Sequence, residues 1–164
     1  MVFTLDSLSA DGQQSVFGVL ENDITSQDGY PRAFDVSSNT AGDAHGGNGA
    51  EFRPRWTTTP TGVLYFQVDT HSGYNNTSRE RHLYSHVMND IAGGTSTVHQ
   101  DGTQVDTRSI TLDANTTFNS GKVLDVSTNA TGALYMSEVI YYPSDQSANR
   151  AAIEANINNQ YDIY

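Results

Sequence analysis

The feature that most constrains the fold is a series of short runs that alternate apolar and polar residues, followed by one helical segment at the end. Val2–Leu8 and Arg81–Asp90 show the period-two pattern of strands that bury one face. Gly, Asn, Asp and Pro separate these runs, as in antiparallel sheets. The pattern predicts roughly ten strands arranged as an all-β sandwich.

Turn residues indicate how some of these strands connect. Val2–Leu8 and Ser15–Glu21 flank the turn-like Ala10–Gln14, which predicts an opening hairpin. The Asp101-Gly102 pair lies between two Val/Thr-rich arms, the arrangement typical of a type I′ hairpin turn. Ser72–Glu80 is rich in Asn, Ser and Gly, and we expect it to be a loop.

The last twenty-eight residues predict one strand and one helix. Leu134–Tyr142 is β-branched and aromatic, and Pro143 ends it. The helix is expected to begin near Ala148, with N-caps offered by Ser144, Asp145 and Ser147.

The predicted helix is amphipathic. Ile153, Ile157 and Tyr161 fall on one face at a spacing of four residues. The residues expected to face outward are Asn149, Arg150, Asn156 and Asn159. The apolar face is wide enough to dock on an edge of the sandwich, and we expect the helix to lie there.

Composition limits the function. The chain has 164 residues, a single-domain length, and 8 basic against 19 acidic residues give a formal charge of -11. Such a surface repels phosphate backbones and anionic lipid, so nucleic acid and membranes are excluded as expected partners. The chain has no cysteine, which excludes disulfides and thiolate chemistry.

The C-terminal motif resembles the close of concanavalin A-like (laminin-G-like) jelly rolls. It consists of Gly132, Glu138 and Tyr141 followed by the SDQSANRAAIEANI segment. Within that family the phrase is similar to modules of bacteriophage virion proteins of the tail-fibre or capsid-decoration type. Val98–Val105 and Arg81–Val87 resemble the hairpin and the strand that precede it in the family.

The resemblance implies an all-β, concanavalin A-like jelly-roll sandwich with a short C-terminal helix. Residues 1–164 are expected to form one domain that lacks the family's usual first strand, and another subunit is expected to cover the exposed edge. The implied location is the virion surface or the extracellular space. The implied partners are other virion proteins, copies of the chain itself and cell-surface glycan.

Catalysis is not expected. Glycosidases need two carboxyl groups facing one another across a cleft. The five glutamates of this chain are isolated in the sequence: Glu21, Glu51, Glu80, Glu138 and Glu154. Glu138 lies in a predicted strand, where it can be a catalytic acid or a structural residue, and we favour the structural role.

No cofactor is expected, and calcium is the metal that the loops would suit best. Asn22, Asp23 and Asp28 offer oxygen ligands within one loop, although ordinary turn chemistry explains the same residues. His82 and His86 would be about 13 Å apart on one strand face, too far for one zinc ion.

Sugar binding needs an aromatic face surrounded by polar groups. The candidate ligand-binding residues are Asp28, Tyr30, Trp56, Tyr74 and Asn75. For Trp56 we favour a core position, whereas Tyr30 and Tyr74 are equally explained by loop packing, and the tyrosines of the chain would also suit a protein-binding surface.

Together these patterns favour a non-catalytic virion-surface module, which acts by protein contacts, by host glycan binding or by both. Two alternatives remain open. One is a secreted carbohydrate-binding module of a polysaccharide-degrading enzyme, and the other is a glycoside hydrolase.

Overall fold

The structure is a computed structural model in which the backbone is described for ten segments. These are residues 2–4, 13–22, 32–37, 53–57, 63–68, 71–76, 80–89, 92–111, 120–125 and 134–164. Side chains are described within residues 13–21, 80–89, 93–107, 109 and 135–164.

The described segments form eleven strands and one helix. In chain order they are β1 (Val2–Thr4), β2 (Gln14–Asn22), β3 (Arg32–Ser37), β4 (Arg53–Thr57), β5 (Val63–Val68), β6 (His71–Asn76), β7 (His82–Met88), β8 (Ala92–Gln100), β9 (Thr103–Thr111), β10 (Ser120–Asp125), β11 (Leu134–Tyr142) and α1 (Arg150–Tyr161).

The strands form two antiparallel sheets, which confirms the predicted all-β class with one C-terminal helix. The six-stranded sheet has the order β1-β10-β3-β4-β5-β6, and the five-stranded sheet has the order β11-β2-β7-β8-β9. The sheets approach each other where β6 meets β9 and where β11 meets β3. The extent of the domain, predicted as residues 1–164 without the usual first strand, stays a prediction.

The predicted opening hairpin is wrong. β1 pairs with β10 in one sheet, whereas β2 pairs with β11 and β7 in the other. Period-two alternation shows that a segment is a strand with one buried face, but it carries no information about the partner strand. Here consecutive strands belong to different sheets.

The predicted loop at Ser72–Glu80 is also wrong over most of its length. β6 extends from His71 to Asn76 and pairs antiparallel with β5, with Tyr65 opposite Asn75. Asn, Ser and Gly disfavour strands only weakly, and a neighbouring strand that supplies backbone partners overrides that preference.

The β8–β9 hairpin is confirmed. Asp101 has φ 50° and Gly102 has φ 78°, and positive φ at both central residues is what a type I′ turn requires. Gln100 lies opposite Thr103 across the turn.

Helix α1 starts later than predicted. Its N-cap is Asn149, which makes no side-chain cap hydrogen bond. The expected caps instead form a turn, in which Asp145 Oδ1 accepts from the Ser147 N–H at 2.8 Å. That turn is fixed to β2, because the Gln146 N–H donates to Ser15 Oγ at 2.9 Å. The side chains of the turn are thus already engaged before the helix begins.

The helix lies on a sheet face and not on the predicted edge. It contacts β7, the central strand of the five-stranded sheet. Ile157 packs with Phe17, Val19 and Leu83 in a buried cluster, and Ile153 and Tyr161 pack against it. The predicted apolar face of the helix is therefore confirmed. Within the described segments, no helix is long and apolar enough to cross a membrane.

Candidate functional site

A buried polar cluster joins the helix to the sheet. Ser85 Oγ on β7 donates a hydrogen bond to Glu154 Oε1 at 2.5 Å. Arg150, one helical turn earlier, forms an ion pair with the other oxygen of the same carboxylate. Glu154 is 2% exposed, so both carboxylate oxygens are engaged away from water. Arg150 was predicted to face outward, and this contact explains why it is half-buried instead.

His99 completes this cluster from the neighbouring strand. It lies directly opposite Ser85 in the β7–β8 register, on the face that receives the helix. Burial lowers its pKa, and the positive charge of Arg150 lowers the pKa further, while Glu154 opposes both effects. His99 Nδ1 is buried and has no hydrogen-bond partner among the described residues.

The cluster contains a serine, a histidine and a glutamate, but it is not arranged for nucleophilic catalysis. A nucleophilic serine gives its proton to a general base that faces the substrate. The Ser85 hydroxyl is buried and bound to Glu154, which Arg150 already neutralises. The cluster therefore holds α1 in place, and its Ser85 hydroxyl and Glu154 carboxylate are shielded from solvent.

An open groove of about 500 Å³ lies between β11 and α1. Its lining residues are Glu138, Asn156, Ile157, Asn159, Gln160 and Tyr161. Glu138 is on β11, and the other five are on the C-terminal half of the helix. Three side-chain amides, one carboxylate and one phenol therefore face a common space that a small polar molecule could enter.

An exposed aromatic residue lies next to this groove. Tyr135 is 54% exposed, a large value for a tyrosine in a sheet. In the β11–β2 ladder, Tyr135 lies opposite Glu21 and Glu138 lies opposite Val19. Because a bulge falls between Met136 and Glu138, Tyr135 and Glu138 are both on the face that bears the helix. Their partners Glu21 and Val19 are two positions apart on β2, which corresponds to roughly 7 Å along the strand. Tyr135 is thus an exposed ring on the same sheet face as Glu138, although it is not one of the lining residues.

A second polar cluster fixes the β8–β9 turn to β7. Asp101 Oδ1 accepts from the Leu83 N–H at 3.0 Å, and its Oδ2 lies 2.6 Å from His82 Nδ1. The Tyr164 ring lies over Gly102, with Oη 3.3 Å from the position a Cβ would take. Asn158 Oδ1 accepts from the N–H groups of Ile163 and Tyr164, so the residues after the helix fold back onto it.

His86 is on the face of β7 that points away from the helix. It is 1% exposed, and its Nε2 is hydrogen-bonded to Ser96 Oγ on β8. Burial lowers its pKa to about 3, and repulsion from His99 adds to the shift. His86 is therefore neutral in the folded protein at neutral pH. On the same face, burial raises the pKa of Tyr141.

The predicted sugar-binding residues are only partly described. Asp28 and Tyr30 lie outside the described residues. Trp56 is in β4, and Tyr74 and Asn75 are in β6, on the two strands that flank β5; their side chains are not among those described. Tyr74 and Asn75 thus lie in a strand and not in the loop expected for them, and their role in binding stays a prediction.

The predicted calcium ligands are likewise not tested. Asn22 is the last residue of β2, with its side chain outside the described set, and Asp23 and Asp28 lie outside it altogether. The described side chains contain no group of three or more His, Asp or Glu residues that could hold a metal ion.

The sequence did not point to the groove. Asn156 and Asn159 were predicted to face outward, as ordinary solvent-exposed amides do, and the structure makes them one wall of a site. The sequence also did not predict that Glu154 is buried. Its signal was present, because Arg150, Glu154 and Ile157 follow the i, i+4, i+7 spacing of one helix face.

Comparison with solved structures reveals the same fold in other proteins. A heptameric SAP-like pentraxin from Limulus polyphemus aligns over 92% of this chain and 73% of its own, with a TM-score of 0.57 and 10% identity. This chain has the concanavalin A-like jelly-roll fold. The predicted fold is thereby confirmed.

Binding domains of botulinum neurotoxins share this concanavalin A-like fold. The serotype G domain aligns over 92% of this chain and 37% of its own, with a TM-score of 0.57 and 9% identity. The serotype D domain, solved with N-acetylneuraminic acid, aligns over 94% and 39%, with a TM-score of 0.53 and 9% identity. This chain thus spans about two fifths of the neurotoxin domains.

No protein-family model matches the sequence, and no curated protein matches it. Identities near 10% show a shared fold and nothing about activity. None of the structures described here links the chain to a bacteriophage.

Proposed function

We propose that this protein is a non-catalytic, lectin-like binding module that holds a glycan in the groove between β11 and α1. The observation that carries the proposal is the groove lining, in which Glu138, Asn156 and Gln160 present acceptors and donors to one open space. Sugar hydroxyls both donate and accept hydrogen bonds, and carboxylates and amides are complementary to them. Tyr135 adds an exposed ring for the apolar face of a sugar.

The fold is consistent with this proposal. Two neighbours with the same fold are a pentraxin and a neurotoxin domain in complex with N-acetylneuraminic acid. A third neighbour, from neurotoxin type C, has been associated with cell entry through two ganglioside molecules. Two neurotoxin neighbours are thus associated with glycans, and this chain aligns with about two fifths of each of those domains.

The geometry argues against the hydrolase alternative. A glycosidase places two carboxyl groups in one cleft, and the described residues of the groove lining contain one, Glu138. Of the two carboxylates that flank the helix wall in sequence, Asp162 is the C-cap and is not among the lining residues. The other, Glu154, is buried and bound by Ser85 and Arg150. It cannot reach a substrate in the groove without breaking both contacts.

The setting we propose is the surface of a bacteriophage particle, where the module would contact other virion proteins and copies of itself. This part rests on the resemblance of the last thirty residues to tail-fibre and capsid-decoration modules. A secreted carbohydrate-binding module is the alternative setting, and it predicts the same groove. Light scattering tests the self-association that the virion setting predicts: a decoration protein is expected to assemble into a ring, and a monomeric mass would argue against that setting.

A glycan array followed by titration tests the binding proposal. Gln160→Ala removes an exposed amide from the groove, and Gln104→Ala removes an exposed amide from β9, at the opposite edge of the same sheet. We expect the first variant to bind the best array glycan at least about fivefold more weakly, and the second to bind as the unmodified protein does. Absence of binding to any array glycan, or equal effects of the two variants, would overturn the proposal.

A further inference from the structure

We propose that the groove selects sugars that carry no negative charge, and that it rejects sialylated and sulfated glycans. This inference rests on the proposed glycan binding and names the ligand class for the same site. It follows from three features of the groove: the carboxylate in its wall, the end of the helix that forms it, and the position of the described cations.

Glu138 gives the groove its charge. Among the described residues that line the groove it is the charged one, and the others are three amides, an isoleucine and a tyrosine. A carboxylate accepts hydrogen bonds and has none to donate when ionised, so it suits sugar hydroxyls. A second carboxylate placed a few ångströms away is repelled, and more strongly in a partly enclosed site than in water.

The helix adds to this negative potential. Residues 156–161 belong to the C-terminal half of α1, where the unpaired carbonyl groups make the dipole negative. The last turn contains no basic residue that would offset it, and the C-cap is Asp162. A helix C-terminus favours cations, so this wall of the groove disfavours an anion for the same reason as Glu138 does.

The described cations are not placed to compensate. Arg150 is paired with Glu154, and it precedes Asn156, the first helix residue of the groove, by six residues, about 9 Å along the helix axis. Arg81 is exposed next to the start of β7 and does not line the groove. The formal charge of the whole chain, -11, acts in the same direction.

The groove thus suits a neutral sugar, or an amino sugar whose ammonium group would face Glu138. Its hydroxyls would donate to Glu138, its remaining polar groups would bond to the amides of Asn156 and Gln160, and its apolar face would lie on Tyr135. This specificity differs from that of the neurotoxin D domain with the same fold, which was solved with N-acetylneuraminic acid.

The test uses glycan pairs that differ by one charged group, applied to the full chain. The probes are array glycans with and without terminal sialic acid, the same pairs with and without sulfate, and N-acetylated against free-amine oligosaccharides. Glu138→Gln removes the groove charge and keeps a hydrogen-bonding side chain of the same size. Asp145→Asn is the matched control, because it removes one charge beyond the other end of α1, in the turn before the helix.

We expect the uncharged member of each sialylated or sulfated pair to bind at least about fivefold more tightly than the anionic member. Glu138→Gln should narrow that ratio severalfold, and Asp145→Asn should leave it nearly unchanged. In the third pair, the free-amine oligosaccharide should bind at least as tightly as its N-acetylated counterpart. Equal or tighter binding of sialylated glycans would overturn the charge selection while leaving glycan binding intact. Absence of binding to every array glycan would overturn the proposed function and this inference together.

Discussion

Ser85 Oγ and Glu154 Oε1 are 2.5 Å apart although 69 residues separate them in the chain, and their hydrogen bond ties the terminal helix to the centre of a sheet. Hydrogen bonds to charged groups contribute about 2 kcal/mol each to stability. We expect a double-mutant cycle of Ser85→Ala and Glu154→Ala to give a coupling of about that size in urea unfolding. Ser109→Ala, at an exposed serine on β9, should be nearly neutral.

Glu154→Ala alone should have the larger effect, because it leaves Arg150 half-buried without its carboxylate. Breaking one side of a buried ion pair costs about 3 kcal/mol or more, and the exposure of Arg150 reduces that value here. A coupling near zero between Ser85 and Glu154 would mean that the contact does not hold the helix.

Acid should destabilise the protein through its two buried histidines. The pKa of His86 falls from 6.5 to about 3 on folding, and that of His99 is also lowered. As the pH drops below about 6.5, the unfolded chain therefore binds protons that the folded protein does not, and the free energy of unfolding decreases towards about pH 3.

Urea unfolding across this pH range, on the unmodified protein and on His86→Gln, measures the effect. The variant keeps a group that can bond to Ser96 but cannot take up a proton, so its stability should fall less steeply with acid. If the free energy of unfolding depended on pH in the same way for the two proteins, His86 would not be held neutral by the fold.

The β8–β9 turn offers a matched pair of substitutions at Asp101. Asp101→Ala removes the acceptor for the Leu83 N–H and places a residue with poor left-handed propensity at φ 50°. We expect it to lower the free energy of unfolding by about 2 kcal/mol. Asp101→Asn keeps an acceptor and tolerates that backbone conformation, so it should have a smaller effect. Chemical denaturation distinguishes them, and equal losses would contradict this role for the Asp101 side chain.

Packing of the helix depends most on Ile157. It is 2% exposed and contacts Phe17, Val19 and Leu83, so Ile157→Ala leaves a cavity and should cost about 3 kcal/mol. Ile153 is half-buried, and Ile153→Ala should cost clearly less. Thermal unfolding monitored by circular dichroism ranks the stabilities of the two variants. The reverse order would argue against the described docking of the helix.

The sequence predicted the elements of the fold better than their arrangement. Alternation located strands such as β7 and β11, and the Asp101-Gly102 turn was predicted with its correct type. The assignment of β1 and β2 to different sheets could not be predicted, because local pattern does not encode which strand becomes a neighbour. The β6 strand was missed because its polar residues are stabilised by pairing and not by propensity.

The candidate groove was hidden for a related reason. Asn156, Asn159 and Gln160 have the composition of any solvated helix face, and only docking of α1 beside Glu138 turns that face into a wall. The local spacing placed Glu154 on one helix face with Arg150 and Ile157, but its burial also depends on Ser85, which is distant in the chain. Both sites form because residues of different elements come close together, and that proximity is set by the tertiary structure alone.

Of the described groove residues, five belong to α1 and one to β11, so these two walls face one another only while the helix is docked. Binding of a ligand in the groove would therefore be thermodynamically linked to helix docking, and an occupant would shift the local opening equilibrium towards the closed form. The helix amides should then exchange with deuterium more slowly when the groove is filled. In this protein, amide exchange in the final segment of the chain would report whether the groove is occupied.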